Sequence, residues 1–300
     1  MKVITLTLNP AFDIHYKIEN FKPYTENYIA DILAQSGGKG VNISRALNIA
    51  RVENTAYIVV GEKDKEEFLS GIDLNAKYFY EAVNIRRNIT IHSDNQPETR
   101  FSMDNFALSD KVFAQVSKCL LTECDKNTIL TFTGRIPKGI EKEKIVNLLI
   151  KLKEQGVKTV IDSNSLTKDE IFLIKPWLIK PNSYEFESIF GGDISKVHQL
   201  CEMGIENVIV SLEEKGVVFS NGKGTISVVP PTVNVVSSIG AGDSLIAGFI
   251  YGFVNGRSVT DTVKYAVAFG TSACLTDGTS PPIFKDINNI FERTKVKGDL

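Results

Sequence analysis

Strand-like and helix-like runs alternate along most of this 300-residue chain, and that alternation limits the fold more than any other feature. Runs at 3–8, 55–60, 128–133, 157–161 and 207–212 read as strands. Between them Val112, Val116, Cys119 and Leu120, and again Ile145, Leu148, Leu149 and Leu152, recur at helical spacing. Gly156 ends the second of these helices. The pattern specifies an α/β fold, a mostly parallel sheet covered by helices on both faces. Two stretches, 13–32 and 85–106, break the rhythm. In the second, Asn88 to His92 and Thr99 to Met103 flank the turn-like Ser93-Asp94-Asn95-Gln96, so a small separate β-sheet is predicted, placed as a lid over a ligand cleft. A further hairpin is predicted from 216–220 to 225–229 around Asn221-Gly222-Lys223-Gly224. No repeat, low-complexity segment or linker interrupts 1–300, which reads as a single domain.

Composition narrows the partners. The net charge is −2 with no basic block, which argues against nucleic acid or an anionic membrane. The apolar run from Leu245 to Val254 falls well short of the ~20 residues that span a bilayer, and its Gly248-x-x-x-Gly252 spacing predicts a buried helix lying close to the sheet. Cysteines 119, 124, 201 and 274 form no CxxC pair and have no neighbouring histidine that would complete a zinc set, so they read as reduced thiols. Without a signal-peptide pattern, the expected location is the cytoplasm. His15, His92 and His198 are scattered, without partners at metal or triad spacing, and Trp177 reads as a core residue.

Five short stretches can carry chemistry. Gly240-Ala241-Gly242-Asp243 precedes the apolar run: two glycines around one alanine allow a tight turn with several N–H groups pointing one way, and a helix N-terminus follows. Asp243 there reads as both cap and base, held ionised by the helix dipole. Asp13 follows the first strand, at the sheet end where open α/β folds bind ligands. Gly37-Gly38-Lys39-Gly40-Val41-Asn42 enters a helix and offers close backbone approach, one cation and one amide; it is neither a Walker A nor a dinucleotide fingerprint. In Lys180-Pro181-Asn182-Ser183-Tyr184-Glu185, Asn182 and Glu185 have the spacing of a capping box. Ser211 to Gly216 is a turn leaving a strand.

Taken together and in order, these motifs resemble the ribokinase-like sugar kinases over nearly the whole chain, and in particular the phosphofructokinase B branch, which includes 1-phosphofructokinase and tagatose-6-phosphate kinase. The resemblance rests on Thr7-Leu8-Asn9-Pro10-Ala11-x-Asp13, Gly37-Gly38-Lys39-Gly40-x-Asn42, Lys180-Pro181-Asn182-x-x-Glu185, Val210-Ser211-Leu212 and Gly240-Ala241-Gly242-Asp243. It implies a three-layer α/β/α sandwich with a small β-sheet lid, and phosphoryl transfer from ATP with Mg2+ to a phosphorylated ketohexose. Fructose 1-phosphate comes first as acceptor, tagatose 6-phosphate second. By resemblance, Asp243 is the base and Gly240, Ala241 and Gly242 stabilise the transferring group. Asp13, Gly38, Lys39, Asn42 and Arg87 would bind the sugar phosphate. Lys180, Asn182, Ser211 and Gly216 would bind the nucleotide, with Glu185 acting on magnesium through water. A homodimer pairing through the lid is also implied.

The chain departs from the family pattern at Gly61-Glu62-Lys63-Asp64, at Met103-Asp104-Asn105, and at Glu213, which stands where the family has glycine. In Thr133-Gly134-Arg135-Ile136-Pro137, Arg135 replaces a phosphate-binding serine and is expected to contact the substrate phosphate itself. These departures motivate one rival from another class, a catalytically weak sugar-phosphate-binding protein. Retention of Asp243 between its glycines and the helix argues against it, and the absent GxGxxG argues against a nicotinamide-dependent oxidoreductase.

Overall fold

The computed structural model describes residues 1–94, 96–104 and 106–299. Asn95, in the turn predicted at 93–96, and Asn105, in the departing triplet 103–105, lie outside the described residues, as does Leu300.

The chain opens with β1 (Lys2–Thr7), leaves the main sheet for β2 (Ala11–Lys17) and β3 (Asp31–Gly37), and returns through α1 (Lys39–Ile49) to β4 (Thr55–Gly61). A short α2 (Lys65–Ser70) leads to β5 (Ala76–Glu81), after which β6 (Arg86–His92) and β7 (Thr99–Phe101) rejoin the small sheet. Regular alternation then runs through α3 (Asp110–Glu123), β8 (Thr128–Thr133), α4 (Lys142–Glu154), β9 (Lys158–Asp162), α5 (Lys168–Ile174), β10 (Leu178–Ile179), α6 (Ser183–Phe190), α7 (His198–Glu202) and β11 (Asn207–Ser211). The chain closes with the hairpin β12 (Val217–Ser220) and β13 (Thr225–Val229), helices α8 (Ala241–Val254), α9 (Val259–Ala273) and α10 (Phe284–Arg293), and β14 (Lys295–Asp299).

The main sheet has the order β14-β13-β12-β11-β10-β9-β8-β1-β4-β5, parallel from β11 to β5 and antiparallel across the last three strands. One apolar cluster on each face fills the space under the helices, the arrangement expected of a parallel sheet that meets water on neither side. Trp177 is buried there against Phe249 and Phe253. The tight approach at Gly248 and Gly252 is to α9 and not, as the spacing suggested, to the sheet: a Cβ at 248 would stand 2.5 Å from the Tyr265 carbonyl oxygen, and one at 252 would stand 2.7 Å from Thr262 Cα.

The small sheet has the order β3-β2-β6-β7. Its first hairpin is longer than the stretch 13–32 and runs to Gly37, so the glycine-lysine motif enters α1 directly from a strand of this sheet. The histidines are not all isolated either. His15 Nδ1 lies 2.9 Å from His92 Nε2, because β2 and β6 run parallel and carry the two rings to one face.

Candidate active site

The carboxyl ends of β1, β8, β9, β10 and β11 open into a cleft of about 430 Å3, roofed by the inner face of the small sheet. Asp13, Gly38, Lys39, Asn42, Lys180, Asn182, Glu185, Ser211, Gly240, Gly242 and Asp243, all singled out in the sequence, line it together. Helices α1 and α8 both aim their N-termini into this space, which makes it favourable to anions.

At one end, Gly240 takes a left-handed conformation (φ 81°) and α8 begins at Ala241. Asp243 does not cap this helix. Its Oδ2 accepts instead from Asn42 Nδ2 at 2.9 Å, in a buried contact between α1 and α8. Burial raises the Asp243 carboxyl to about 6, and the nearby Asp162 charge adds to this, while Lys39, the Asn42 amide and Lys180 pull the other way. Asp243 is therefore a better base than the helix dipole alone would leave.

Beneath it, Asp162 ends β9 and is 3% exposed. It bridges two lysines, Lys39 Nζ at 2.7 Å and Lys180 Nζ at 3.4 Å. Burial opposes its ionisation, but the two ammonium groups outweigh burial and hold the carboxyl below the usual range. For Lys39, burial likewise acts against the charge, and Asp162 and Asp243 overcome it and raise its pKa. A doubly paired carboxylate is fixed in place, and it fixes both cations where they face the cleft.

At the other end, Asp13 on β2 accepts from Asn88 Nδ2 on β6 at 2.9 Å. Burial raises its pKa, with Asn88 and Arg86 working against the rise. The cation expected here from sequence, Arg87, is not in the cleft. Side chains alternate across a strand, so Arg86 and Asn88 face inward and Arg87 faces out. Arg87 makes a two-bond pair with Glu67 (3.1 and 2.8 Å) and stacks on Phe12. Arg86 lines the cleft, anchored by the carbonyls of Asn9, Pro10 and Met103 and by Asn88 Oδ1, and Arg100 and Arg135 line the same end.

Gly216 also lies outside the cleft lining. It has φ 87°, and a Cβ there would stand 2.0 Å from the Val228 carbonyl oxygen, so glycine is needed where the chain from β11 enters β12 close beside β13. Ala241 contributes backbone at the first turn of α8. Asn182 and Glu185 form the expected reciprocal capping box. Glu213, where the family has glycine, keeps a glycine-like backbone at φ 54°. Sequence reasoning missed Asp162, Arg86, Arg100 and Thr279, all of which line the cleft. Asp162 had a signal, a carboxylate at the carboxyl end of a predicted strand, as at Asp13.

The pattern that defines the pfkB family carbohydrate kinases matches residues 5–286. The chain belongs to this family. Among pfkB relatives, it is 29% identical to 1-phosphofructokinase of Haemophilus influenzae over 98% of this chain and 97% of that one. It is 27% identical to tagatose-6-phosphate kinase of Staphylococcus epidermidis over 98% and 99%. Phosphofructokinase-2 from Escherichia coli, solved with substrates and products, superposes with a TM-score of 0.90 at 24% identity, covering 98% and 99%. The pfkB chain therefore has the ribokinase-like architecture, a large mostly parallel sheet flanked by helices with a small second sheet, and it is a carbohydrate kinase for which ATP is the donor the family implies.

Proposed function

We propose that this kinase transfers the γ-phosphoryl group of ATP to fructose 1-phosphate, giving fructose 1,6-bisphosphate and ADP. One observation carries the reading: the cleft has a buried carboxylate base beside an anion cradle at one end and three guanidinium groups at the other. A substrate that carries a phosphate at one end and a reactive hydroxyl at the other fits that polarity. Arg86, Arg100 and Arg135 hold the existing phosphate, and Asp13 with Asn88 orients the sugar hydroxyls. The far hydroxyl then faces Asp243.

In the transfer, the hydroxyl oxygen bonds to the γ-phosphorus, the bond from that phosphorus to the β,γ-bridging oxygen breaks, and the proton passes to Asp243. The N–H groups around Gly240 to Gly242 stabilise charge on the moving group. Lys39, expected from the resemblance at the sugar phosphate, is instead pinned with Lys180 by Asp162, and the two neutralise phosphate charge on the ATP side. Magnesium would arrive with ATP and spread charge over its phosphates. Asp162 is already saturated by two lysines and one Glu185 oxygen caps α6, so the residues present fit a metal held mainly by phosphate and water, with Glu185 ordering that water.

The small sheet acts as the lid of a single domain. Its outer side exposes Ile32 and Phe101 and adjoins exposed Tyr24 and Tyr28, so we place a homodimer contact there. No helix among the described residues is long and apolar enough to cross a membrane; the expected compartment is the cytoplasm. Tagatose 6-phosphate is the second candidate acceptor, because a relative of nearly equal similarity bears that activity in its name.

Coupled-assay measurement of ADP release decides among these readings, with fructose 1-phosphate, fructose 6-phosphate, tagatose 6-phosphate and unphosphorylated sugars as acceptors. The highest kcat/KM is expected for fructose 1-phosphate. Preference for an unphosphorylated sugar would overturn the assignment of the arginine end.

A further inference from the structure

The small sheet is fastened to the ATP side of the cleft through Gln35 on β3. Its Oε1 accepts from the Thr279 N–H (2.8 Å) and the Thr279 hydroxyl (3.0 Å), and its Nε2 donates to Ser280 Oγ at 3.1 Å. His15 on β2 lies against the same turn. A Cβ on Gly278 would stand 2.4 Å from Gln35 Oε1 and 3.0 Å from His15 Nε2, so these side chains close on the turn without room for a methyl group.

His15 is 5% exposed, and its orientation is set from behind. Glu98 lies 3.3 Å from His92 Nδ1, and His92 Nε2 lies 2.9 Å from His15 Nδ1. The hydrogen bond between His15 Nδ1 and His92 Nε2 fixes the His15 ring so that its Nε2 faces Gly278. That buried nitrogen has no hydrogen-bond partner among the described residues.

The far side of the turn meets the anion cradle, where Thr279 Cα stands 3.8 Å from the place of a Cβ on Gly240. The register of β2 and β3 puts Gln35 directly opposite Asp13. One strand pair therefore carries the sugar-orienting carboxylate and the contact that reaches the cradle. We propose that Gln35 and His15 are positioning residues that hold the Gly278–Ser280 turn, and through it the Gly240–Gly242 cradle, in fixed register with Asp13. The proposal rests on the kinase reading of the cleft. Reacting groups displaced by about 1 Å can lose roughly 100-fold in rate, so a fastening of this kind bears on kcat more than on binding.

The test compares native enzyme with Gln35→Met, which keeps the volume and removes the polar atoms, and with Gln35→Glu, which keeps an accepting oxygen. In Gln35→Met, kcat per folded site on the best sugar phosphate should fall about 10- to 100-fold, with each KM within about threefold of native. Amide exchange at Thr279 should accelerate at least about tenfold. Gln35→Glu should restore both to within about threefold of native. A purely structural role would lower the folded fraction and leave kcat per folded site unchanged, and that result overturns the proposal. Should Gln35→Met fail to fold, His15→Phe is read the same way. A native protein inactive on every sugar phosphate sinks the kinase reading instead, while Thr279 exchange in Gln35→Met still reports whether Gln35 holds the turn.

Discussion

Asn42 Nδ2 lies 2.9 Å from Asp243 Oδ2, tying together the first turns of two helices whose residues stand 201 positions apart in the chain. The contact ties the glycine-lysine motif that opens α1 to the base at the start of α8. The amide fixes one carboxylate oxygen, leaving the other to receive a proton.

Replacing Asp243 with Asn should lower kcat by about 10²- to 10⁴-fold, the usual range for loss of a general base. In the native enzyme kcat/KM should fall as pH drops through about 6, where the carboxyl becomes protonated. Steady-state rates between pH 5 and 8 check this, and a profile without an acid limb near 6 would count against the assignment.

The same residue should cost stability. Its folded pKa of about 6 lies above the ordinary 3.8, so the folded state binds the proton more readily. The penalty for carrying the ionised form is absent below the lower value, grows as pH rises between the two, and is complete above the higher. At about 1.4 kcal/mol per pKa unit, it amounts to at most about 3 kcal/mol. Asp243→Asn should therefore melt higher than native at pH 8 and lose that advantage toward pH 4, as thermal unfolding at both pH values will show.

Asp162 behaves oppositely. Its pKa is held down by Lys180 and Lys39, so its contribution is present above the unfolded value near 3.8 and is lost as pH falls through the lower folded value. Asp162→Asn leaves two lysines without their counter-ion and should destabilise by about 3–5 kcal/mol at pH 7. Urea unfolding measures this; a loss under about 1 kcal/mol would show that water already compensates the pair.

The two adjacent arginines should separate cleanly. Arg86→Ala removes an inward guanidinium and should raise the sugar-phosphate KM at least about tenfold, given roughly 1.5–3 kcal/mol for a hydrogen bond to a charged group. Arg87→Ala removes an exposed pair with Glu67 and a stack on Phe12, costing about 1 kcal/mol of stability and leaving KM near native. The reverse pattern would mean that the small sheet changes register when substrate binds.

Glu213 holds a left-handed backbone that costs a residue with a side chain roughly 1 kcal/mol, so Glu213→Gly should be neutral or stabilising by up to about that amount. Urea midpoints decide it. Mass in solution tests the lid contact: a dimer is expected for the native chain and a monomer for Ile32→Asp, whose side chain is 59% exposed on β3.

The α/β class, the main parallel strands and the two glycine motifs at 37–42 and 240–243 could be read from the sequence, because hydrophobic period and glycine placement act locally; Lys180, Asn182, Glu185 and Ser211 were marked for the cleft only by the family resemblance. The sharpest failure was Arg87. Choosing between two adjacent arginines needs the phase of the strand relative to its neighbours, and pairing of Ala11 with Arg86 and Asp13 with Asn88 sets that phase. Gly216 stands outside the cleft lining for a related reason: a glycine in a turn can serve a ligand or a neighbouring strand, and the Val228 carbonyl by itself already requires glycine here. The β14 edge strand and the link between His15 and His92 left no readable signal, since each depends on a partner far along the chain.

The sequence by itself determined the supply of parts: a base next to two glycines, a lysine at a helix entrance, a carboxylate after the first strand. The tertiary structure decided their chemistry. Burial raises Asp243 to about 6, while burial between two lysines lowers Asp162, so the same side chain becomes a proton acceptor in one place and a fixed counter-ion in the other. That difference depends on which charges lie within a few ångströms, and only the folded chain sets those distances.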